Sequence, residues 1–331
     1  MTFLDFFAGI GGFRRGMELA GHKCLGFCEF DKYATASYTS MHLCNDDDRK
    51  YLATLPLRQR QKEILDEKYR HGEWYSADIR GVACGSLPRA DCWCFGFPCQ
   101  DISVAGKQRG FDGERSSLFF EVMRLLKGTG GGDRPQWLLI EIVKNLLAVS
   151  AGFDFARVLC ELEDLGYVVE WRLLNSKDFG VPQNRERLYI VGFHGDRFPG
   201  DPLDFPGNSR ETDVRLKQLN NAKSMALRIF DPSGIACCLL ANGGAWARAG
   251  LYKVGDRVRE LTPREAFRIQ GWTDEYFERA MLVNFKSQLY KQAGNGVTVN
   301  VVKAIGERLN DLDTCDNQRA AGLSECDLES L

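Results

Sequence analysis

The chain has 331 residues, 44% of them hydrophobic, enough to bury a large core and to hold one big domain with a smaller one. Forty-three Lys and Arg against 45 Asp and Glu leave a formal charge of −2, so bulk charge does not mark a nucleic-acid binder, and such a function needs basic groups gathered on one face. Twelve cysteines at irregular spacing, without a leader-like segment or an apolar run near about 18 residues, exclude a membrane span and a disulfide scaffold and imply a reduced, cytoplasmic compartment.

Thr2 to Phe7 reads as a buried strand, followed by a glycine turn at Gly9, Gly11 and Gly12 and a helix to Ala20. Glycines let a backbone approach a ligand closely, and a helix start offers free amides to a carboxylate or phosphate. Arg14 stands where the dinucleotide fingerprint needs its third glycine, so the turn points to a nucleoside cofactor without a required pyrophosphate. Lys23 to Glu29 is a second strand whose terminal acid is placed to accept from ribose hydroxyls. Leu43 to Gly72, with its acidic run Asp46-Asp47-Asp48, reads as a solvated insertion carrying a charged surface helix.

The apolar stretch from Trp93 to Phe97 runs into Gly96-Phe97-Pro98-Cys99-Gln100, which presents a thiol at a strand's carboxyl end, its backbone stiffened by the proline. Cys92, Cys94 and Cys99 match no Cys-x2-Cys pair and the chain has four histidines, so no metal site is expected. Helices are predicted at Leu118 to Leu126 and Gly152 to Leu165, and strands at Trp137 to Glu141, Val168 to Leu174 and Leu188 to Phe193. The alternation implies an α/β fold, a mostly parallel sheet with helices on both faces.

From Arg197 to Val258 prolines and glycines break the periodicity, and nine Lys or Arg stand against six Asp or Glu. The expected organisation is therefore a large domain over 1–196, a smaller irregular domain over 197–258, a return to the large domain over 259–310, and a polar, disordered tail over 311–331. Helices are expected at Pro263 to Gln270 and Val297 to Leu309.

Five motifs in order resemble the cytosine-C5 DNA methyltransferases of bacterial and phage modification systems, over Thr2 to about Leu309. They are Phe7-Ala8-Gly9-Ile10-Gly11-Gly12, Pro98-Cys99-Gln100, Gln183 to Arg187, Arg259 to Glu265, and Gln292 to Val297. The resemblance implies an S-adenosylmethionine-dependent, Rossmann-like catalytic domain and a target-recognition domain. It implies methyl transfer to C5 of a flipped-out cytosine in a specific double-stranded DNA sequence, through a covalent Cys99 adduct at C6. C5 is a poor nucleophile until a thiolate adds at C6, which is the chemical reason such a site needs a cysteine.

By the same resemblance Glu141 holds or delivers the N3 proton, Arg187 binds the cytosine O2 and Arg185 supports the site. The cofactor pocket is implied at Phe7, Gly9, Gly11, Gly12, Glu29, Phe30, Asp78, Ile79, Gly96, Pro98, Leu118, Asn295 and Val297. DNA contacts are expected from Gln100, Ser103, Lys107 and Arg109 on a closing loop, and from Arg228 and Arg248 in the small domain, with Arg210, Arg215 and Lys217 as further candidates. The implied partners are double-stranded DNA and a restriction endonuclease acting on the same site, and the enzyme is expected to be monomeric. The family's Glu-Asn-Val stands here as Glu141-Ile142-Val143, replacing a hydrogen-bonding side chain with an apolar one. Restoring asparagine is expected to raise turnover. The alternatives are a tRNA cytosine-C5 methyltransferase, or a DNA-binding protein whose turnover is impaired by Ile142.

Overall fold

The computed structural model describes residues 1–97, 118–205, 215–224, 227–241 and 250–320, with side chains through 314. The expected site residues Pro98, Cys99, Gln100, Ser103, Lys107, Arg109 and Arg248, with Arg210, lie outside the described residues.

Seven strands form one sheet in the order β3-β2-β1-β4-β5-β7-β6. They are β1 (Thr2–Phe6), β2 (Lys23–Cys28), β3 (Trp74–Ser76), β4 (Cys92–Phe95), β5 (Trp137–Val143), β6 (Tyr167–Asn175) and β7 (Glu186–His194). All neighbouring pairs from β3 to β5 are parallel, and β7 runs antiparallel to both β5 and β6. Strands buried on both faces read as continuous apolar runs, and β4 (Cys92–Phe95) and the Trp137–Ile140 part of β5 are buried at every position. One face packs under α1 (Gly12–Leu19) and α10 (Val299–Ala320), in a core that includes Phe3, Phe13, Met17, Val302 and Ile305. The other packs under α5 (Leu118–Gly128) and α6 (Phe153–Glu163) around Phe95, Leu126, Ile140 and Val158.

The charged segment from Leu43 to Gly72 is more than a solvated insertion. It forms α3 (Asp46–Thr54) and α4 (Leu57–Glu63), which bury Leu52, Ile64 and Tyr69 with Val283 of α8 (Asp274–Val283). The acidic run is the first turn of α3, where Asn45 and Asp48 close a capping box and carboxylates meet the positive end of the helix. At the other end of the chain, α10 continues to Ala320, so the tail expected from Asp311 begins inside a helix. Leu312, three residues after the buried Leu309, keeps the apolar stripe going and is itself 3% exposed.

Beyond the sheet, β8 (Ile229–Phe230), β9 (Leu251–Val254) and β10 (Arg257–Glu260) make a separate three-stranded sheet that starts in the segment expected to be a second domain and runs two residues past its expected end at Val258. Its Phe230 and Tyr252 pack with Phe267 of α7 (Pro263–Arg268) and Leu289 of α9 (Lys286–Asn295), so the small sheet sits on the returning helices.

Candidate active site

The carboxyl ends of β1, β2 and β4 converge where the strand order reverses, the place where open α/β sheets bind ligands. After β1 the chain turns sharply: Phe7 has φ 54°, Gly9 58° and Gly11 83°, and Gly12 then opens α1. A left-handed phenylalanine is strained, and such strain is characteristic of ligand-binding loops. At Gly11 a Cβ would collide with the His42 ring, whose Nε2 lies 3.0 Å from the Ile10 carbonyl, and at Gly12 it would lie 2.7 Å from the Val297 carbonyl oxygen. The turn is thus clamped between His42 and the segment after α9, which brings Val297 against the glycines.

Glu29, after β2, accepts from the Gly9 amide and from the Asp31 amide, each at 2.7 Å. Burial pushes its carboxyl up to about 7, although both amides favour the carboxylate. Asp31 in turn caps α2 (Lys32–Tyr38) and meets Lys291 at 2.5 Å. Phe30 beside it is 73% exposed, an aromatic face left open at the cleft. Asp78 follows β3 and is held by Arg80, whose Nη2 donates at 2.7 Å, an interaction that holds its carboxyl below the usual range. Ile79 is buried in the core, Leu118 opens α5 and is partly buried, and Asn295 is exposed at the end of α9.

The second half of the site is built by β5 and β7. In their antiparallel register Glu141 faces Tyr189 and Val143 faces Arg187, so Glu141 and Arg187 are diagonal neighbours on one face while Ile142 and Leu188 point to the other. Arg187 Nε lies 3.0 Å from Glu141 Oε1, with both side chains mostly buried. Among the described residues that oxygen accepts no aligned hydrogen bond, so the contact is an ion pair that leaves the carboxylate hydrogen-bonding capacity. A Cβ at Gly96 would lie 3.3 Å from Glu141 Oε2, which puts the carboxylate directly beside the residue that leads into Pro98-Cys99.

Arg185, on the same face as Arg187, is 3% exposed. It donates to the carbonyls of Leu239 at 3.4 Å, Gly294 at 3.3 Å and Gly296 at 2.8 Å. Sequence reasoning missed the residues that make this possible. Gln183 is fully buried, donates to the Ile269 carbonyl at 2.9 Å and to Gln270 Oε1 at 3.2 Å, and accepts from the Leu239 amide at 3.1 Å. Gln270 also accepts from Thr298 at 2.8 Å, and Thr298 meets Ser176 at 2.9 Å. This chain of side chains ties β6, β7 and the segments around 239, 270 and 298 together behind the arginines. Gln183 was visible as the first letter of its motif, but nothing local marked its partners.

Of the small-domain basic residues, Arg228 donates to its own loop, at the Lys223 carbonyl, and Lys217 donates to Ser233. Among the described residues no group of three or more His, Cys, Asp or Glu could hold a metal ion, and no helix is long and apolar enough to cross a membrane.

Solved structures share the fold: the crystal structure of the S. pombe Dnmt2 methyltransferase superposes with a TM-score of 0.68 at 18% identity, covering 95% of this chain and 99% of that one. The Entamoeba histolytica methyltransferase EhMeth gives 0.64 at 16% identity, over 94% and 98%. In sequence, type II methyltransferase M.HhaI of Haemophilus parahaemolyticus is 31% identical over 341 residues, 92% of this chain and 93% of that protein. Type II methyltransferase M.HpaII of Haemophilus parainfluenzae is 31% identical over 353 residues, 93% and 88%. The model of the C-5 cytosine-specific DNA methylases matches residues 1–233 and 239–311. With the glycine turn, the acid after β2 and the carboxylate–arginine pair already in place, the chain belongs to the C-5 cytosine-specific DNA methylase family: it is an S-adenosylmethionine-dependent DNA cytosine-5-methyltransferase.

Proposed function

We propose that the enzyme extrudes one cytosine from a specific double-stranded DNA sequence and methylates it through a covalent adduct on Cys99. The observation that carries this reading is the Glu141–Arg187 pair, held at 3.0 Å beside Gly96 at the converging ends of β4, β5 and β7. A base inside a duplex cannot reach such a buried pair, and flipping costs a few kcal/mol that contacts to the extruded base must offset.

In this reading Cys99 adds to C6, Glu141 holds or delivers the proton at N3, and Arg187 receives O2. Protonation at N3 drains charge from the ring as the sulfur adds, which lowers the barrier to attack. Arg185 acts behind Arg187 as a positioning residue, its guanidinium pinned by three carbonyls.

The cofactor's fit rests on the left-handed turn at Phe7, Gly9 and Gly11, the Glu29 carboxylate fixed beside it, and the open face of Phe30. Phe7, Gly9, Gly11, Gly12, Glu29, Phe30, Asp78, Ile79, Gly96, Pro98, Leu118, Asn295 and Val297 are the residues that would hold it. When bound it supplies an electrophilic methyl group. Glu29 accepts from ribose hydroxyls, and Asp78, oriented by Arg80, accepts from the adenine amino group.

Gln100, Ser103, Lys107 and Arg109 close over the DNA, and residues 197–258, with Arg228 and Arg248, read or grip it. The enzyme acts as a monomer in the cytoplasm beside a restriction endonuclease of the same specificity. The test uses duplex DNA carrying 5-fluorocytosine at the target. Its fluorine cannot leave as a proton does, so the wild-type chain should be trapped covalently and Cys99→Ala should not. A persistent adduct in Cys99→Ala overturns the assignment.

A further inference from the structure

Cys238 follows the stretch Ile235-Ala236-Cys237, which pairs with Pro182-Gln183-Asn184 through the Ala236 amide and carbonyl. That pairing carries its sulfur into the space between the two arginines, 3.6 Å from Arg185 Nη1 and 3.9 Å from Arg187 Nη2. Cys237 points elsewhere, its sulfur 3.5 Å from the Tyr252 hydroxyl. Residues 234–238 fall between the two segments matched by the family model, so the family match says nothing of this position.

A buried and a mostly buried guanidinium, Arg185 and Arg187, here face one carboxylate, Glu141, which pairs with Arg187. Arg185 otherwise meets carbonyl dipoles, and its buried Nε has no hydrogen-bond partner among the described residues. A buried charge without a counter-charge is costly, and the Cys238 sulfur is the group placed to meet both cations.

We propose that Cys238 is a positioning residue of the base pocket and its modifiable thiol, the shared counter-group that seats Arg185 and Arg187. The proposal rests on the reading that these arginines line the pocket for the flipped base. Burial pushes the thiol up, but Arg185 and Arg187 outweigh it and hold it below its ordinary value. The Leu239 carbonyl, 3.6 Å away, would accept from a protonated thiol and so opposes them. The charged and titratable groups facing the sulfur are thus Arg185 and Arg187 from the β7 side, Glu141 behind Arg187 from β5, and Cys237 along its own segment.

The test uses the full chain carrying Cys99→Ser, so that the nucleophile assigned above cannot react. Only ionised sulfur displaces iodide from iodoacetamide to form a thioether, so alkylation read by peptide mass spectrometry against pH reports each thiol's ionisation. The exposed Cys160 is the internal reference. Cys238 should alkylate with a midpoint about one pH unit or more below Cys160, and Arg187→Met should move that midpoint up. A midpoint at or above that of Cys160, no shift in Arg187→Met, or no alkylation at any pH overturns the proposal.

With Cys99 intact, Cys238→Ala should lower kcat/KM on duplex DNA about tenfold, and Cys238→Asp, which keeps an anion, should recover most of it. Equal losses in both variants also overturn the positioning role. Failure of the fluorocytosine trap, by contrast, would sink the Cys99 reading and leave the alkylation profile standing, so the two outcomes are distinguishable.

Discussion

At Glu29 burial and hydrogen bonding pull in opposite directions, and the balance sets a pH response. Its carboxyl titrates near about 7 rather than its ordinary 4.5, so the folded chain holds this proton where the unfolded chain has lost it. The sign follows: this group favours the fold at low pH, and that contribution is lost as pH rises from about 4.5 to about 7. Cofactor binding should run the other way, because the ionised form accepts from ribose hydroxyls. Calorimetry should show affinity level above about pH 8 and falling below about 7, with Glu29→Gln weaker and flat across the range. A wild-type affinity that does not change with pH rules out the ribose assignment. Ile142 is a different case. It is fully buried in the core that includes Phe97, Phe119, Leu146 and Leu188, so an asparagine amide there would be enclosed by apolar side chains. Leaving such a group unsatisfied costs about 1–3 kcal/mol. Ile142→Asn should therefore melt several degrees below wild type rather than gain turnover, while Ile142→Val should lose only about 1 kcal/mol. A melting temperature equal to wild type would show that the amide finds partners.

Helix α9 meets the Leu240-Ala241 backbone without room for a side chain. A Cβ on Gly294 would lie 2.5 Å from the Ala241 amide and 2.6 Å from the Leu240 carbonyl oxygen, both backbone atoms that no rotamer change can move. Gly294→Ala should push the two segments apart and lower DNA affinity several-fold while cofactor affinity changes less. Fluorescence anisotropy with target duplex and calorimetry with cofactor separate the two, and a matched loss in both would refute the local picture. The elements themselves were largely legible. Period and apolar runs located β1, β2, β5, β6 and β7 within about two residues, because buried strands carry their signal in consecutive side chains. β3 escaped, being three residues long beside a charged segment. The glycine turn, Glu29, Glu141 and the arginines were readable because their motifs are local. Gln183 was readable as the first letter of its motif, but its role was not, and neither Gln270 nor Cys238 was marked, because each acts through partners 50 or more residues away or on a different element, and no window of sequence contains both ends.

Across the whole molecule the small sheet of β8 to β10 is set apart from the seven-stranded one, which supports exchanging the region over 197–258 between related enzymes with the junction moved past Glu260, the last residue of β10. The exchange should move the methylated sequence, read by bisulfite conversion, with cofactor affinity about the same. The structure adds a condition: residues 235–241 must stay with the recipient, because Ala236 and Leu239 pair with Pro182, Gln183 and Asn184 of the large domain. A chimera that keeps them and retains its old specificity would place target choice in the large domain instead.

The carbonyls that seat Arg185 lie 54, 109 and 111 residues further along the chain. During synthesis at about 5–20 residues per second, Gly296 leaves the ribosome roughly 5 to 20 s after Arg185. Every strand of the large sheet has emerged by His194, so a nascent chain can hold a finished sheet while its arginine still waits for its acceptors. A ribosome stalled in that interval exposes a scaffold with no seat for the guanidinium, and the seat becomes complete only after Gly296 has followed.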